Sequence, residues 1–275
     1  MRTRRRVAFI LASAAALGVG LIAYAGSASA IPAPCVPAAP NTTVGNTSCV
    51  NGQILPSTGL GPSTPKNVSL FTHVATRYLH AGDRAKGGFA KEVTVYYDND
   101  GHINPGTIPK CTVANVANKT IPQAYAACGP AGKNAYLSPP GTISGKASTA
   151  PPSNFGACTM VFNGPLTNQV VLYTRVFTTV NSNPSCTTTN GGGNVTITLV
   201  GTISNAGITG YGKKQVKPLP QGITLPLDDF YATVKRGNYV TSTCHSPLRI
   251  RARFVYSVTT APYQPDTANF AQGCS

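Results

Sequence analysis

The segment from Leu248 to Tyr256 reads Leu-Arg-Ile-Arg-Ala-Arg-Phe-Val-Tyr, and its pattern is the clearest indication of the fold class of this chain. Apolar and basic residues alternate along it, and successive side chains of a β-strand point to opposite faces. One face then carries Leu248, Ile250, Ala252, Phe254 and Tyr256, and the other carries Arg249, Arg251, Arg253 and Ser257. This division is typical of an antiparallel sheet that packs on one side and meets water on the other.

Further strand signals, separated by turn-forming residues, extend from this segment back to Val68. The predicted strands are Val68–Val74, Glu92–Tyr97, Thr159–Phe162, Gln169–Val180, Asn194–Ser204, Gly207–Val216, Asp229–Lys235, Tyr239–Thr243 and Leu248–Thr259. Many short strands with frequent turns predict an all-β fold, an antiparallel β-sandwich. A partly closed barrel is the alternative.

One short helix is predicted within the segment Pro109–Pro130. Thr120 and Gln123 have the spacing of a capping box, and Pro122 falls in the first turn, where a proline is tolerated. Gly129-Pro130 ends the helix, which gives Ile121–Cys128 as its bounds. A disulfide between Cys111 and Cys128 is expected to pin this helix back to the segment that precedes it.

All eight cysteines follow residue 30. An even number of cysteines in an exported chain predicts four disulfides in an oxidising compartment. Many connectivities are open, and pairing between sequence neighbours gives the shortest loops: Cys35–Cys49, Cys111–Cys128, Cys158–Cys186 and Cys244–Cys274. A zinc site is not expected, since there is no C-x-x-C and the four histidines are scattered.

The N-terminus has the layout of a secretory signal. Arginines precede an apolar run from Val7 to about Tyr24, and Ala28-Ser29-Ala30 fits the cleavage rule. An uncleaved membrane anchor is the competing interpretation, because the apolar run is long for a signal. We expect residues 1–30 to be a signal peptide, 31–66 a Pro/Thr/Asn-rich arm and 67–275 a single β-sandwich domain. The mature protein is then secreted or held at the cell surface.

The charge balance is the main functional lead. Lys and Arg number 22 against 7 acidic residues, a formal net charge of +15. Arg249, Arg251 and Arg253 share one strand face, and Lys213 and Lys214 cluster with Lys217 at a predicted turn. Such residues attract polyanions such as cell-envelope polymers or anionic membrane surfaces. Solubility alone is an equally good explanation of the charge. The marks of specific nucleic-acid recognition are missing.

Catalytic motifs are not found. There is no G-x-S-x-G, S-x-x-K set or H-E-x-x-H, and no cofactor motif. The segment Asp98-Asn99-Asp100-Gly101 departs from a calcium loop and predicts a tight turn. His245 is interpreted as a polar residue at a strand entry. We therefore expect a non-enzymatic protein, with a hydrolase whose site lies in the open stretch Ser138–Ala157 as the alternative.

Several short motifs follow one another from Val93 to Ser275. They are Ile103-Asn104-Pro105, Pro109-Lys110-Cys111, Ala126-Ala127-Cys128-Gly129, Ala131, Phe162-Asn163-Gly164, Thr243-Cys244-His245-Ser246-Pro247 and Thr267 to Cys274. This layout resembles a group of exported, disulfide-bonded, β-rich proteins of high-GC Gram-positive bacteria for which no function is known. The resemblance implies export and a disulfide-bonded β fold, and it implies no substrate. The remaining cysteines, Cys35, Cys49, Cys158 and Cys186, have no counterpart in it.

Overall fold

A computed structural model describes residues 35–40, 45–78, 90–137, 145–148, 156–177, 184, 186–218, 229–235, 237–256 and 266–275. Within these ranges the chain is mostly strand, with two short helices and one 3₁₀ turn at Pro105–Thr107. The strands are β1 Asn46–Leu55, β2 Lys66–Asn67, β3 Ser69–Tyr78, β4 Ala90–Asp98, β5 Gly101–Ile103, β6 Gly145–Ser148, β7 Gly156–Asn163, β8 Gln169–Phe177, β9 Val195–Ile208, β10 Tyr211–Pro218, β11 Asp229–Val234, β12 Val240–Ser242, β13 Leu248–Tyr256 and β14 Asp266–Gln272. The helices are α1 Val113–Val116 and α2 Ile121–Cys128.

Eleven strands form one antiparallel sheet in the order β1-β3-β11-β6-β7-β8-β9-β10-β4-β13-β14, and β2-β12-β5 form a second, small sheet. The large sheet bends so that its two edge strands meet. The Gln272 side chain of β14 accepts a hydrogen bond from the Ile54 N–H of β1 at 2.8 Å and donates one to the Ile54 carbonyl at 3.1 Å. A side-chain amide, rather than a strand ladder, joins the edges. The arrangement is therefore sandwich-like and not a closed barrel, which confirms the first prediction and not the alternative.

The main core lies inside the bent sheet. Every second residue of β13, namely Leu248, Ile250, Ala252, Phe254 and Tyr256, is buried there. Val93, Val95 and Tyr97 of β4 join them from the neighbouring strand. The strand alternation predicted for β13 is thus confirmed.

Close packing at one point depends on a glycine. A Cβ placed on Gly52 of β1 would overlap Ile250 Cδ1 of β13. A side chain at position 52 would require Ile250 to shift, so a glycine suits this close approach of the two strands.

The two helices cover the outer face of β7 and β8. Helix α2 begins where predicted: the Gln123 side chain accepts the Thr120 N–H at 3.0 Å, and Pro122 lies in the first turn. Ile121, Ala124 and Cys128 are fully buried against the sheet. Burial of this face, more than the propensity of eight residues, holds so short a helix. A second helix, α1, was not predicted.

Asn163 at the end of β7 organises the loops around the helices. Its side chain donates to the carbonyl groups of Ile108 and Pro105, at 2.7 and 2.9 Å. Its backbone carbonyl accepts the Cys111 N–H at 2.8 Å. The motifs around Pro105, Cys111 and Asn163 therefore meet in space, and here their role is structural.

All four disulfides join sequence neighbours, as predicted. The pairs are Cys35–Cys49, Cys111–Cys128, Cys158–Cys186 and Cys244–Cys274. Cross-links of this kind stabilise mainly by restricting the unfolded chain. Four disulfides are typical of proteins that mature outside the cytoplasm.

Some predicted boundaries were wrong. The predicted arm contains β1, which pairs residue by residue with β3 from Asn46–Tyr78 to Leu55–Ser69. The strand predicted over Gly207–Val216 is interrupted by a turn at residues 209 and 210. Gly210 in this turn and Gly207 just before it have positive φ values. Lys213 and Lys214 accordingly lie within β10 and not in a turn. The predicted signal peptide lies outside the described residues.

Candidate anion-binding face

The outer face of β13 carries the three arginines predicted to share it. Arg249 and Arg253 are exposed and Arg251 is half-buried, while the residues between them point into the core. Neighbouring positions on one face of a strand are about 7 Å apart. The structure therefore places three guanidinium groups in a line along one strand.

Lys214 joins this line from two strands away. The register of β10, β4, β13 and β14 places Lys214, Tyr96, Arg251 and Asn269 opposite one another in one row. Residues directly opposite in antiparallel strands share a face. We call the surface formed by Lys214, Tyr96, Arg249, Arg251 and Arg253 the basic face.

Lys213 does not belong to the basic face. It lies opposite Tyr97, whose side chain is in the core, so it alternates away from Lys214. Its Nζ donates to Asn205 Oδ1 at 2.8 Å. Of the five candidate residues, four come together and Lys213 does not.

Arg249 is already committed to other groups of the protein. Its Nε donates to Asp98 Oδ2 at 3.0 Å, and Asp98 is only 4% exposed. Its Nη2 donates to the Gly210 carbonyl, and its guanidinium lies 5.7 Å from the centre of the Tyr211 ring. The hydrogen bond and the charge of Asp98 raise the pKa of Arg249 above its ordinary value. Arg249 is thus chiefly a structural cation.

Arg251, Arg253 and Lys214 differ from Arg249 in this respect. None of the three side chains has an ion-pair or hydrogen-bond partner in the described part of the chain. Glu92, two residues before Thr94 on β4, accepts a hydrogen bond from the Thr94 hydroxyl at 3.3 Å. The Nε of Arg251 is buried, so its guanidinium offers the outer Nη end to a ligand. These three cations are the ones able to meet an external anion.

A second cluster, at the end of β4, was missed in the sequence. Asp100 accepts hydrogen bonds from the His245 ring at 2.7 Å, the His245 N–H at 2.7 Å and the Thr243 hydroxyl at 3.0 Å. Burial on its own would raise the pKa of Asp100, but these hydrogen bonds and the charge of His245 outweigh it and lower the pKa. Asp100 and His245 are 145 residues apart in the chain, so no local sequence motif predicts that they pair.

The predicted turn at Asp98–Gly101 is confirmed, with residues 99 and 100 joining β4 to β5. The carboxylates of this turn bind Arg249, His245 and Thr243. Across the ranges listed above, no group of three or more His, Cys, Asp or Glu side chains is placed to hold a metal ion. None of the helices in that same part of the chain has the length and hydropathy of a membrane span.

A small cavity of about 40 Å³ lies in the core between the large sheet and the small one. Its lining is apolar apart from Thr72, Tyr97, Gln215 and Tyr239. Tyr97 donates to Gln215 Oε1 at 3.3 Å, whereas the Tyr239 hydroxyl is buried with no partner among the described residues. The volume suffices for about two or three water molecules.

The fold and the face together define an antiparallel, disulfide-bonded β protein with one basic, aromatic surface. Comparison of the chain with protein-family models, curated proteins and solved structures finds no match.

Proposed function

We propose that the protein is an exported, non-enzymatic binding protein that attaches to an anionic polymer of the cell envelope through its basic face. The proposal rests on one observation: the cations of the basic face differ in whether a carboxylate of the protein already binds them. Arg249 is paired with Asp98, while Arg251, Arg253 and Lys214 face outward without a carboxylate partner in the described ranges. The sheet fixes the spacing of the strand positions that carry these cations before an anion binds, which favours affinity.

The surrounding charge acts in the same direction. The formal net charge is +15 for the whole sequence, and without the four arginines of the predicted signal peptide it is +11 (18 Lys and Arg against 7 acidic residues). A positive charge of this size draws polyanions toward the protein over distances of about the Debye length of 8 Å at physiological salt. The four disulfides and the predicted signal peptide support a place outside the cytoplasm, where such polymers occur.

The test compares two charge-matched double variants on a purified poly(glycerol phosphate) wall polymer. Arg251→Gln/Arg253→Gln changes the basic face, and Arg77→Gln/Lys133→Gln removes two exposed cations elsewhere. We expect the first to weaken binding about tenfold or more, since each basic group near an anionic surface contributes about 1 kcal/mol. The second is expected to have a much smaller effect. Equal losses in both variants would contradict the role of the face.

Two further measurements separate the alternatives. Binding must weaken steadily with added salt, because counterions are released when the polymer binds. Vesicles containing phosphatidylglycerol test a membrane surface in place of a polymer. Stronger binding to the vesicles than to the polymer would indicate that the partner is a membrane surface and not a polymer.

Hydrolysis is the second candidate function, and Asp100 with His245 favours it. The carboxylate holds one ring nitrogen, and the side chain of His245 is 61% exposed, which is the arrangement of a general base with its orienting group. The stretch first suggested for a hydrolase site, Ser138–Ala157, lies mostly outside the described residues. A screen of esters, glycosides and peptides with wild type and His245→Ala tests this function, and activity equal in both proteins would exclude His245.

A further inference from the structure

Tyr96 occupies the centre of the basic face. It lies between Lys214 on one neighbouring strand and Arg251 on the other. Because adjacent strands are about 4.8 Å apart, the two cations flank the ring at a total separation of about 10 Å. Any polymer that spans both cations must pass over Tyr96.

The ring of Tyr96 is held in place by a second aromatic side chain. The centres of the Tyr96 and Tyr211 rings are 6.1 Å apart at an interplanar angle of 67°. Edge-on pairs of this kind are favourable because the positive edge of one ring meets the negative face of the other. Arg249 in turn lies over Tyr211. The platform is therefore rigid, and Tyr96 is half-buried with part of its surface open.

Polar groups border the same platform on β14. Asn269 lies opposite Arg251 and Thr267 lies opposite Arg253, and both are exposed. An amide and a hydroxyl each offer a donor and an acceptor. Together the row presents a cation, an aromatic ring, a second cation and an amide.

We propose that the polymer recognised by this face is an acidic polysaccharide, with one sugar ring lying on Tyr96 and anionic groups on either side bound by Lys214 and Arg251. This inference rests on the proposed function. A bare polyphosphate chain has charge but no ring to place on a tyrosine, whereas a sugar presents C–H groups to an aromatic face and hydroxyls to Asn269 and Thr267. Tyrosine and arginine are also among the side chains enriched at the hot spots of binding surfaces.

The experiment measures the affinity of the full mature chain for four probes at one low salt concentration. The probes are polygalacturonate, inorganic polyphosphate, neutral dextran and single-stranded oligo(dT). Wild type is compared with Tyr96→Leu, which removes the ring, and with Tyr96→Phe, which keeps it. Circular dichroism and thermal unfolding confirm that each variant is folded.

We expect Tyr96→Leu to weaken polygalacturonate binding about tenfold, in the range found for removal of a stacking ring. Polyphosphate binding should change less than about twofold, and Tyr96→Phe should behave as wild type on both probes. Arg251→Gln should weaken both anionic probes, because it removes charge. Dextran should not bind detectably.

Results that differ from these expectations show which claim is wrong. Polyphosphate and polygalacturonate could bind equally, with neither affinity changed by Tyr96→Leu. This result would contradict an acidic polysaccharide as the ligand and would leave the anionic-polymer proposal standing. Tighter, Tyr96-dependent binding of oligo(dT) would replace the sugar by a nucleobase. Failure of wild type to bind either anionic probe would overturn the proposed function itself.

Discussion

The Nε2 of His73 donates a hydrogen bond to the Oδ1 of Asp229, 2.6 Å away, across the neighbouring strands β3 and β11. The other ring nitrogen, Nδ1, accepts the backbone N–H of Cys35 at 3.0 Å. Because Nδ1 is an acceptor, the proton of the neutral ring must sit on Nε2. The ring, which is 1% exposed, thus links the N-terminal disulfide segment to the outer face of the sheet.

His73→Phe should lower the free energy of unfolding by about 1–3 kcal/mol, since it leaves the Cys35 N–H without its partner. Hydrogen exchange at the Cys35 amide should accelerate in the same variant. Asp229→Asn is the matched control, because the amide oxygen still accepts from Nε2 and Asp229 is already 44% exposed. Unchanged protection of the Cys35 amide in His73→Phe would contradict the link.

Local features of the sequence were sufficient for the parts of the fold that local forces determine. The helix Ile121–Cys128 was predicted because its cap, its proline and its terminating glycine all lie within ten residues of one another. The orientation of the β13 side chains follows from strict alternation. Short loops also make neighbour pairing of cysteines the favoured choice.

Features that depend on distant partners could not be predicted in this way. Strand β1 contains Asn, Ser and Gly and shows little alternation, and it forms a strand because ten of its residues pair with β3. The pairs His73–Asp229 and Asp100–His245 join residues 156 and 145 apart. In the candidate site, the arginine line was predictable, but its pairing with Tyr96 and Lys214 depends on strand order, which the sequence pattern does not determine.

Removal of the hydroxyl should affect the free energy of unfolding differently at Tyr97 and at Tyr239. Tyr97→Phe takes a donor away from Gln215 and should lower the free energy of unfolding by about 1 kcal/mol. Tyr239→Phe removes a buried hydroxyl that has no partner in the described ranges, so stability should stay the same or rise. Chemical denaturation of both variants checks this, and a large loss in Tyr239→Phe would show that its hydroxyl is well bonded.

The same two residues predict loss of stability at alkaline pH. Burial raises the pKa of Tyr97 to about 12, although a hydrogen bond with Thr72 opposes it, and burial followed by the nearby Tyr97 raises that of Tyr239. A phenol with a raised pKa favours folding fully below its unfolded value of about 10. That contribution is lost as the pH rises through the folded pKa. Tyr97→Phe/Tyr239→Phe should therefore show a shallower decline above about pH 10 than wild type.

The lowered pKa of Asp100 predicts that stability is also lost at acidic pH. Its hydrogen bonds from His245 and Thr243 hold its pKa below the ordinary value, despite burial. A carboxyl with a lowered pKa stabilises the fold above about pH 4 and loses that contribution as the pH falls through the folded value. Asp100→Asn should cost about 2 kcal/mol at neutral pH. Its difference from wild type should shrink in acid, whereas Asp266→Asn should show little effect at either pH.

The contact between Gly52 and Ile250 predicts a non-additive pair of substitutions. Gly52→Ala should lower the free energy of unfolding by about 1–3 kcal/mol, because its methyl would overlap Ile250 Cδ1. Ile250→Val removes that carbon and alone should cost about 1 kcal/mol. The double variant should be more stable than the sum of the two losses implies. Simple additivity in a double-mutant cycle would show that β1 and β13 move apart instead.

Arg249 and Arg251 lie two residues apart on one strand face, yet their substitution should affect different properties. Arg249→Gln leaves the buried Asp98 carboxylate without its guanidinium partner and should lower the free energy of unfolding by about 1.5–3 kcal/mol. Arg251→Gln breaks no ion pair or hydrogen bond of the described residues and should change stability by less than about 0.5 kcal/mol. Polymer affinity should show the reverse order, because only the unpaired guanidinium is open to an anion. Chemical denaturation and polymer binding are measured for both variants. If the same variant lost more stability and more affinity, the proposed division between a structural and a binding arginine would be wrong.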